Sequence, residues 1–187
     1  MKQYPSTEQL AEMVKQLTQA RLENWLGEGF GSWRWWVLLA FLILPWIIWR
    51  KYANKKQLLE SSLLGMIIMV FSITLDELGF ELSLWNYPVD VIPTTFPRLT
   101  SIDYSVLPVV FMLMNQYYPT WKSYIWALLV LAAIFSFIIE PIIVYLGFYV
   151  LIKWTHWYSF ILYIPMGLLA RWITRTIIDS TKNANTE

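Results

Sequence analysis

Long apolar runs, each closed by charges or prolines, divide this chain. The first extends from Trp33 to Trp49 and is closed by Arg50, Lys51, Lys55 and Lys56; the second extends from Leu58 to Leu75 and stops at Asp76. A third covers about 99–118. A fourth starts at Trp121 and stays apolar to Ile152, broken only by Glu140, Pro141 and Gly147, and a fifth runs over about 157–178 with Arg171 and Arg175 in its last turns. At ~1.5 Å rise per residue, about 20 apolar residues cross a hydrocarbon core. The pattern predicts an all-α polytopic transmembrane helix bundle of about five spans: 33–49, 58–75, 99–118, 121–140 with an interfacial extension to 152, and 157–178. Backbone in hydrocarbon must satisfy its own hydrogen bonds, and the alternating segments of a barrel are absent. Pro108 and Pro165 predict kinks within their spans.

Residues 1–32 read differently. Ser6 followed by Gln9 is a capping-box pattern, and Leu10, Val14, Leu17 and Trp25 recur at helical spacing among Glu and Lys. This predicts an N-terminal amphipathic surface helix lying on the membrane or on a partner, joined to the first span through Gly27, Gly29 and Gly31. The apolar segment begins too late for a secretory signal. Residues 179–187 form a polar C-terminal tail.

Composition agrees with a membrane protein: 57% of residues are hydrophobic and only 14% charged, where soluble domains carry about 25%. A net charge of +1 gives no basis for a nucleic-acid partner, and the absence of cysteine excludes disulfides and thiol chemistry. Lys and Arg gather after the first span, at Lys122 and in the last turns of the fifth, which predicts an outer N-terminus and a cytoplasmic C-terminus. Aromatic belts are expected at Trp33, Trp35, Trp85, Tyr87, Trp154 and Trp157 on one rim, and at Trp49, Tyr117, Trp121, Tyr124 and Trp172 on the other.

The candidate chemistry lies in acids at the ends of apolar runs. Threading the five spans puts Asp76, Glu77, Asp103 and Glu140 at one depth on the outer side, with His156 opening the fifth span there and Arg98 the nearest cation to neutralise one of them. Glu77 and Glu81 share a helix face if the helix continues. Such a cluster could bind a divalent cation, act as proton acid and base, or line a path for a polar solute. The competing structural reading pairs Asp103 or Glu140 with Arg98 to cap helix ends near the headgroups. His156, among Trp154, Trp157 and Tyr158, reads as an aromatic-belt member rather than a ligand. Pro141 cannot donate to the helix ladder, so free backbone acceptors are expected beside Glu140, and Ser136 one turn back is placed to hydrogen-bond it. The segment 79–97 carries Trp85, Tyr87, Pro88 and Pro93; broken by three prolines, it is expected to form an interfacial or re-entrant cap over the acids.

No zinc helix, nucleophile elbow or phosphate-cradling glycine loop is present, and no metal or cofactor is implied. Leu75-Asp76-Glu77-Leu78-Gly79, Leu84-Trp85-Asn86-Tyr87-Pro88, Asp103-Tyr104-Ser105-Val106-Leu107-Pro108, Tyr118-Pro119-Thr120-Trp121-Lys122, Phe135-Ser136-Phe137 and Glu140-Pro141 together resemble a family of small, uncharacterised five-span membrane proteins of endospore-forming Firmicutes. The resemblance covers about 58–172 and implies a bacterial cell membrane, connected with sporulation or the spore. It carries no catalytic residue across. The leading expectation is a non-enzymatic interaction or accessory subunit whose partners are the lipid bilayer and another membrane protein. The alternatives are a small transporter with proton or cation sites at Asp103 and Glu140, and an intramembrane enzyme acting on a lipid or isoprenoid.

Overall fold

A computed structural model describes residues 4–94 and 100–184. The chain is about 80% helical. Its helices are α1 (Thr7–Asn24), α2 (Trp33–Tyr52), α3 (Leu58–Glu81), α4 (100–117), α5 (Trp121–Tyr145) and α6 (His156–Ala184); β1 (Trp85–Asn86) and β2 (Val150–Leu151) form a two-residue antiparallel ladder. Four helices are long and apolar enough to cross a membrane: Trp33–Tyr52, Lys55–Glu81, Trp121–Tyr145 and His156–Lys182. Local sequence sets the starts. Ser6 and Gln9 close the expected capping box on α1, Ser32 accepts from the Trp35 N–H to begin α2, and Thr120 accepts from the Ser123 N–H to begin α5.

The third apolar run becomes α4, and its weaker hydropathy has a structural cause. No side chain from 100 to 116 is exposed, because α4 packs against α2, α3 and α5. A helix wrapped by other helices has no lipid-facing side and can carry Ser101, Asp103, Ser105 and Asn115, all buried. Close approach depends on small residues: a Cβ at Gly65 would lie 2.6 Å from Met112 Sδ, and one at Gly167 would lie 2.7 Å from both Leu128 and Phe111. By contrast α2 exposes Phe41, Ile43, Leu44, Ile47 and Ile48, the composition of a lipid-facing surface.

Two prolines are absorbed as wide turns rather than as helix ends. Ahead of Pro108, residues Ile102–Val106 form a π-helical turn in which the Leu107 N–H donates to Ile102 O; ahead of Pro141, Phe135–Ile139 do the same, with the Glu140 N–H donating to Phe135 O. The fourth span therefore does not end at Glu140 with an interfacial extension over 142–152, as the sequence suggested. It continues to Tyr145, turns at Gly147 (φ +75°) and returns through β2. Only glycine takes that left-handed backbone without strain.

The opposite end of the bundle is locked by a buried cation. Arg171 is 0% exposed, donating from Nη1 to Tyr118 O (2.8 Å) and from Nη2 to Pro119 O (2.5 Å), with its guanidinium 4.2 Å from the Tyr124 ring centroid. Tyr124, expected in the aromatic belt, is instead fully buried and donates to Gly167 O (3.0 Å). Arg175 and Asn115 both reach Glu60 Oε1, at 3.3 and 3.2 Å, tying α3, α4 and α6 together. A lysine cannot span two carbonyls and stack on a ring. Arg171→Lys is expected to destabilise the fold by about 1.5–3 kcal/mol, the scale of a charged hydrogen bond; thermal unfolding in detergent measures it, and an unchanged midpoint would show the fork to be dispensable.

Candidate functional site

The expected acids lie where α3 and α5 end and where α4 and α6 begin. After Glu81, Leu82 stops α3, Ser83 adopts φ 54°, and the Leu84 N–H returns to Gly79 O, so the chain reverses over the end of the bundle. From Trp85 to Pro93 it runs as an extended strap. Trp85, Tyr87, Val89, Val91 and Pro93 point inward and are buried, whereas Asn86, Pro88 and Ile92 are exposed. The prolines exclude a helix here, and alternation of extended backbone supplies an inner and an outer face.

Asp76 is the strap's anchor. Its carboxylate is 9% exposed, and Oδ1 accepts from Trp85 Nε1 at 3.2 Å and from the Tyr87 hydroxyl. Trp85 packs against Gly79, three residues after Asp76, where any Cβ would overlap its ring. Further ties hold the strap: β1 pairs with β2, Ile152 and Lys153 N–H groups donate to Leu84 O, and Trp25 and Trp35 indoles donate to Asp90 O and Val91 O (both 3.0 Å). Trp85 and Tyr87, expected in the belt as well as in the cap, are therefore buried above a carboxylate. An indole N–H or phenol O–H taken out of water needs an acceptor, and Asp76 provides it.

Asp103 sits in the π-helical turn of α4, 4% exposed, opposite Ser72 and Asp76 of α3. Its Oδ2 has no partner among the described residues. Glu77 is half-buried beside Asp76, and Glu81 is exposed. Arg98, the cation expected to neutralise this group, lies outside the described residues.

Glu140 forms a second centre with α6. It is 8% exposed; Oε1 accepts from Ser159 Oγ (3.1 Å), Oε2 lies 3.1 Å from His156 Nδ1, and Trp154 Nε1 donates to Ser159 Oγ (2.8 Å). His156 is thus a partner of Glu140 rather than a plain belt residue. The hydrogen bond expected from Ser136 is not formed: its Oγ is fully buried with no partner among the described residues, because the carboxylate is drawn to Ser159 and His156 on the facing helix.

The two centres meet at tyrosines. Tyr149 stacks on Tyr87 (centroids 5.3 Å apart, 21° between planes) and feels the charges of both Glu140 and Asp76; Tyr163 feels Glu140, Asp103 and Asp76. Burial pushes the Tyr87 phenol well above its usual range, helped by the Asp76 charge, and burial likewise raises Tyr149. Sequence reasoning missed Ser159, Tyr149 and Tyr163. Ser159 lies one helical turn from His156 and could have been read as its neighbour; the tyrosines carried no signal distinct from a membrane rim.

No group of three or more His, Asp or Glu side chains among the described residues is arranged to hold a metal ion. Above the strap, a groove of about 580 Å³ opens between it and α1, bordered by Leu17, Arg21, Trp25, Phe80, Asn86 and Pro88. No family model, curated protein or solved structure matches the chain.

Two outcomes follow from the anchoring of the strap on Asp76. Gly79→Ala is expected to lift Trp85 from Asp76 and cost about 1–3 kcal/mol as overpacking, with a shift in tryptophan emission; an unaltered spectrum and melting point would contradict the close contact of Trp85 with Gly79. The Tyr87 phenol is held neutral in the fold, so its stabilisation is complete below the ordinary phenol value of 10.0 and is lost as pH rises beyond it. Unfolding followed against pH should therefore show an alkaline loss of stability that is smaller in Tyr87→Phe than in the parent.

Proposed function

We propose that this chain is a bacterial multi-pass membrane protein that acts as a non-enzymatic interaction or accessory subunit, receiving a membrane-protein partner at its acid end. The observation that carries this is the groove between α1 and the strap, together with the way Asp76 is used. Its oxygen Oδ1 is committed to the chain's own Trp85 and Tyr87, so the carboxylate builds a rigid outer surface. Beside that surface α1 exposes Leu10, Met13, Val14 and Leu17 at helical spacing, an apolar stripe that a partner or the headgroup layer would cover.

In this reading α4 is a fifth crossing, shielded from lipid by its neighbours. Its packing against three of the apolar helices supports this, as does its connection of opposite ends of the bundle. Arg50, Lys51, Lys55, Lys56, Lys122 and Arg175 gather at the end away from the strap, which supports a cytoplasmic C-terminus and an outer N-terminus. A spore or forespore membrane rests on the family resemblance alone.

The absence of cysteine makes a direct test possible. Single cysteines at Asn24 and Asn86 beside the groove, and at Ile47 on the lipid face of α2, would be labelled from outside and then cross-linked in cells. One defined membrane protein is expected to cross-link from the first two positions and not from the third, with outside reagent reaching only the first two. Equal cross-linking from all three, or none from the groove, would count against a partner site there.

A further inference from the structure

The proline-driven turns in α4 and α5 follow one rule, and its consequence differs between them. In a π-helical turn that ends just before proline, one carbonyl loses both helical donors. The N–H four residues on is drawn to the preceding carbonyl, and the residue five on is the proline, which has no N–H. The carbonyl after it loses its ordinary donor to the same proline. In α4 these acceptors are Asp103 O and Tyr104 O. Tyr104 O is met from another helix, by Trp46 Nε1 at 3.1 Å, while the Ser72 hydroxyl stands 3.5 Å from Asp103 O with its own-helix Met69 O nearer, at 3.2 Å.

In α5 the equivalent acceptors are Ser136 O and Phe137 O, since the Glu140 N–H is given to Phe135 O and Pro141 has no N–H. No side chain among the described residues covers them. On the same helix face stand the Ser136 hydroxyl, 0% exposed and with no partner among the described residues, and the Glu140 carboxylate one turn on. This turn packs against α6, which contributes Ser159 Oγ at 3.1 Å from Glu140 and, one turn deeper, Tyr163 with its ring against Phe135. These groups are oxygens, one of them the carboxylate whose Oε2 also lies 3.1 Å from His156 Nδ1, and the hydroxyl and carboxylate do not bond to each other.

We propose that α5 and α6 bind a monovalent cation of sodium size between Ser136 and Glu140, held by the Ser136 carbonyl and hydroxyl and by the Glu140 carboxylate. Hard cations take oxygen ligands, and backbone carbonyls freed where a membrane helix is interrupted are a known means of coordinating sodium. A single carboxylate neutralises a single charge, which matters where an uncompensated ion is expensive. The inference does not depend on the partner-binding reading: a cation here would brace α5 against α6 with or without a bound protein.

The test uses the full chain in detergent, melted in sodium chloride and in choline chloride at equal ionic strength. A ligand that binds only the folded state raises the melting temperature with concentration. The parent is expected to show a saturable rise specific to sodium. Ser136→Ala removes the hydroxyl, and Pro141→Ala restores an N–H to the ladder while leaving the liganding side chains in place; each should weaken the apparent affinity by about tenfold or more, and Ser136→Thr should retain it. Identical melting of the parent in both salts overturns the inference without recourse to any variant. So does a sodium effect that persists at full strength in both Ser136→Ala and Pro141→Ala.

Discussion

Everything in this fold answers to one constraint: in an apolar bundle, a polar group that water cannot reach must find its partner within the protein. The helices satisfy most backbone groups by themselves. What remains is a short set of exceptions, the indoles and phenols of the strap, the acids at helix ends and the carbonyls freed by proline. Their pairings determine how the helices sit. Asp76 answers Trp85 and Tyr87, Trp46 answers the carbonyl freed by Pro108, and Arg171 answers Tyr118 and Pro119.

The two ends of the bundle solve the constraint with opposite charge. At one, carboxylates accept from neutral donors on a strap and on α6, which leaves a surface closed by aromatic rings and tied by hydrogen bonds. At the other, a buried guanidinium donates to the carbonyls of the α4–α5 turn, and Glu60 collects Arg175 and Asn115. An ion pair placed at one end alone would leave the other free to splay. Anchors at both ends fix the tilt of α6 against α4 and α5, while the middle is held by close packing at Gly65 and Gly167.

Much of the architecture was legible because hydropathy and length are local properties. The four strongly apolar runs read directly as helices, and the capping box at Ser6 marked the start of α1. The run that forms α4 was weaker for a tertiary reason: a helix covered on all sides can exchange leucine for serine and asparagine without meeting lipid. The candidate site was legible only as a depth. Threading the spans brought Asp76, Asp103, Glu140 and His156 to one end, but the pairing of Glu140 with Ser159 and His156, and of Asp76 with the strap, depends on rotations of α3, α5 and α6 that apolar runs do not encode. For the same reason Tyr124 and Trp85 passed for rim residues: an aromatic ring near a helix end has one signature whether it turns toward lipid or toward the core.

The sequence by itself determined that the chain is helical, apolar enough for a membrane, and divided into an acid end and a basic end, since these follow from the order of residues along each run. It also determined that Pro108 and Pro141 must each release backbone acceptors, because a missing N–H is a covalent fact. Only the tertiary structure decided what meets those acceptors. In α4 a tryptophan from a neighbouring helix arrives at the right height; in α5 the facing helix brings a carboxylate's partners, and no side-chain donor among the described residues reaches the Ser136 face. Contacts between helices are set by packing over the whole bundle, and no local pattern of residues carries that information.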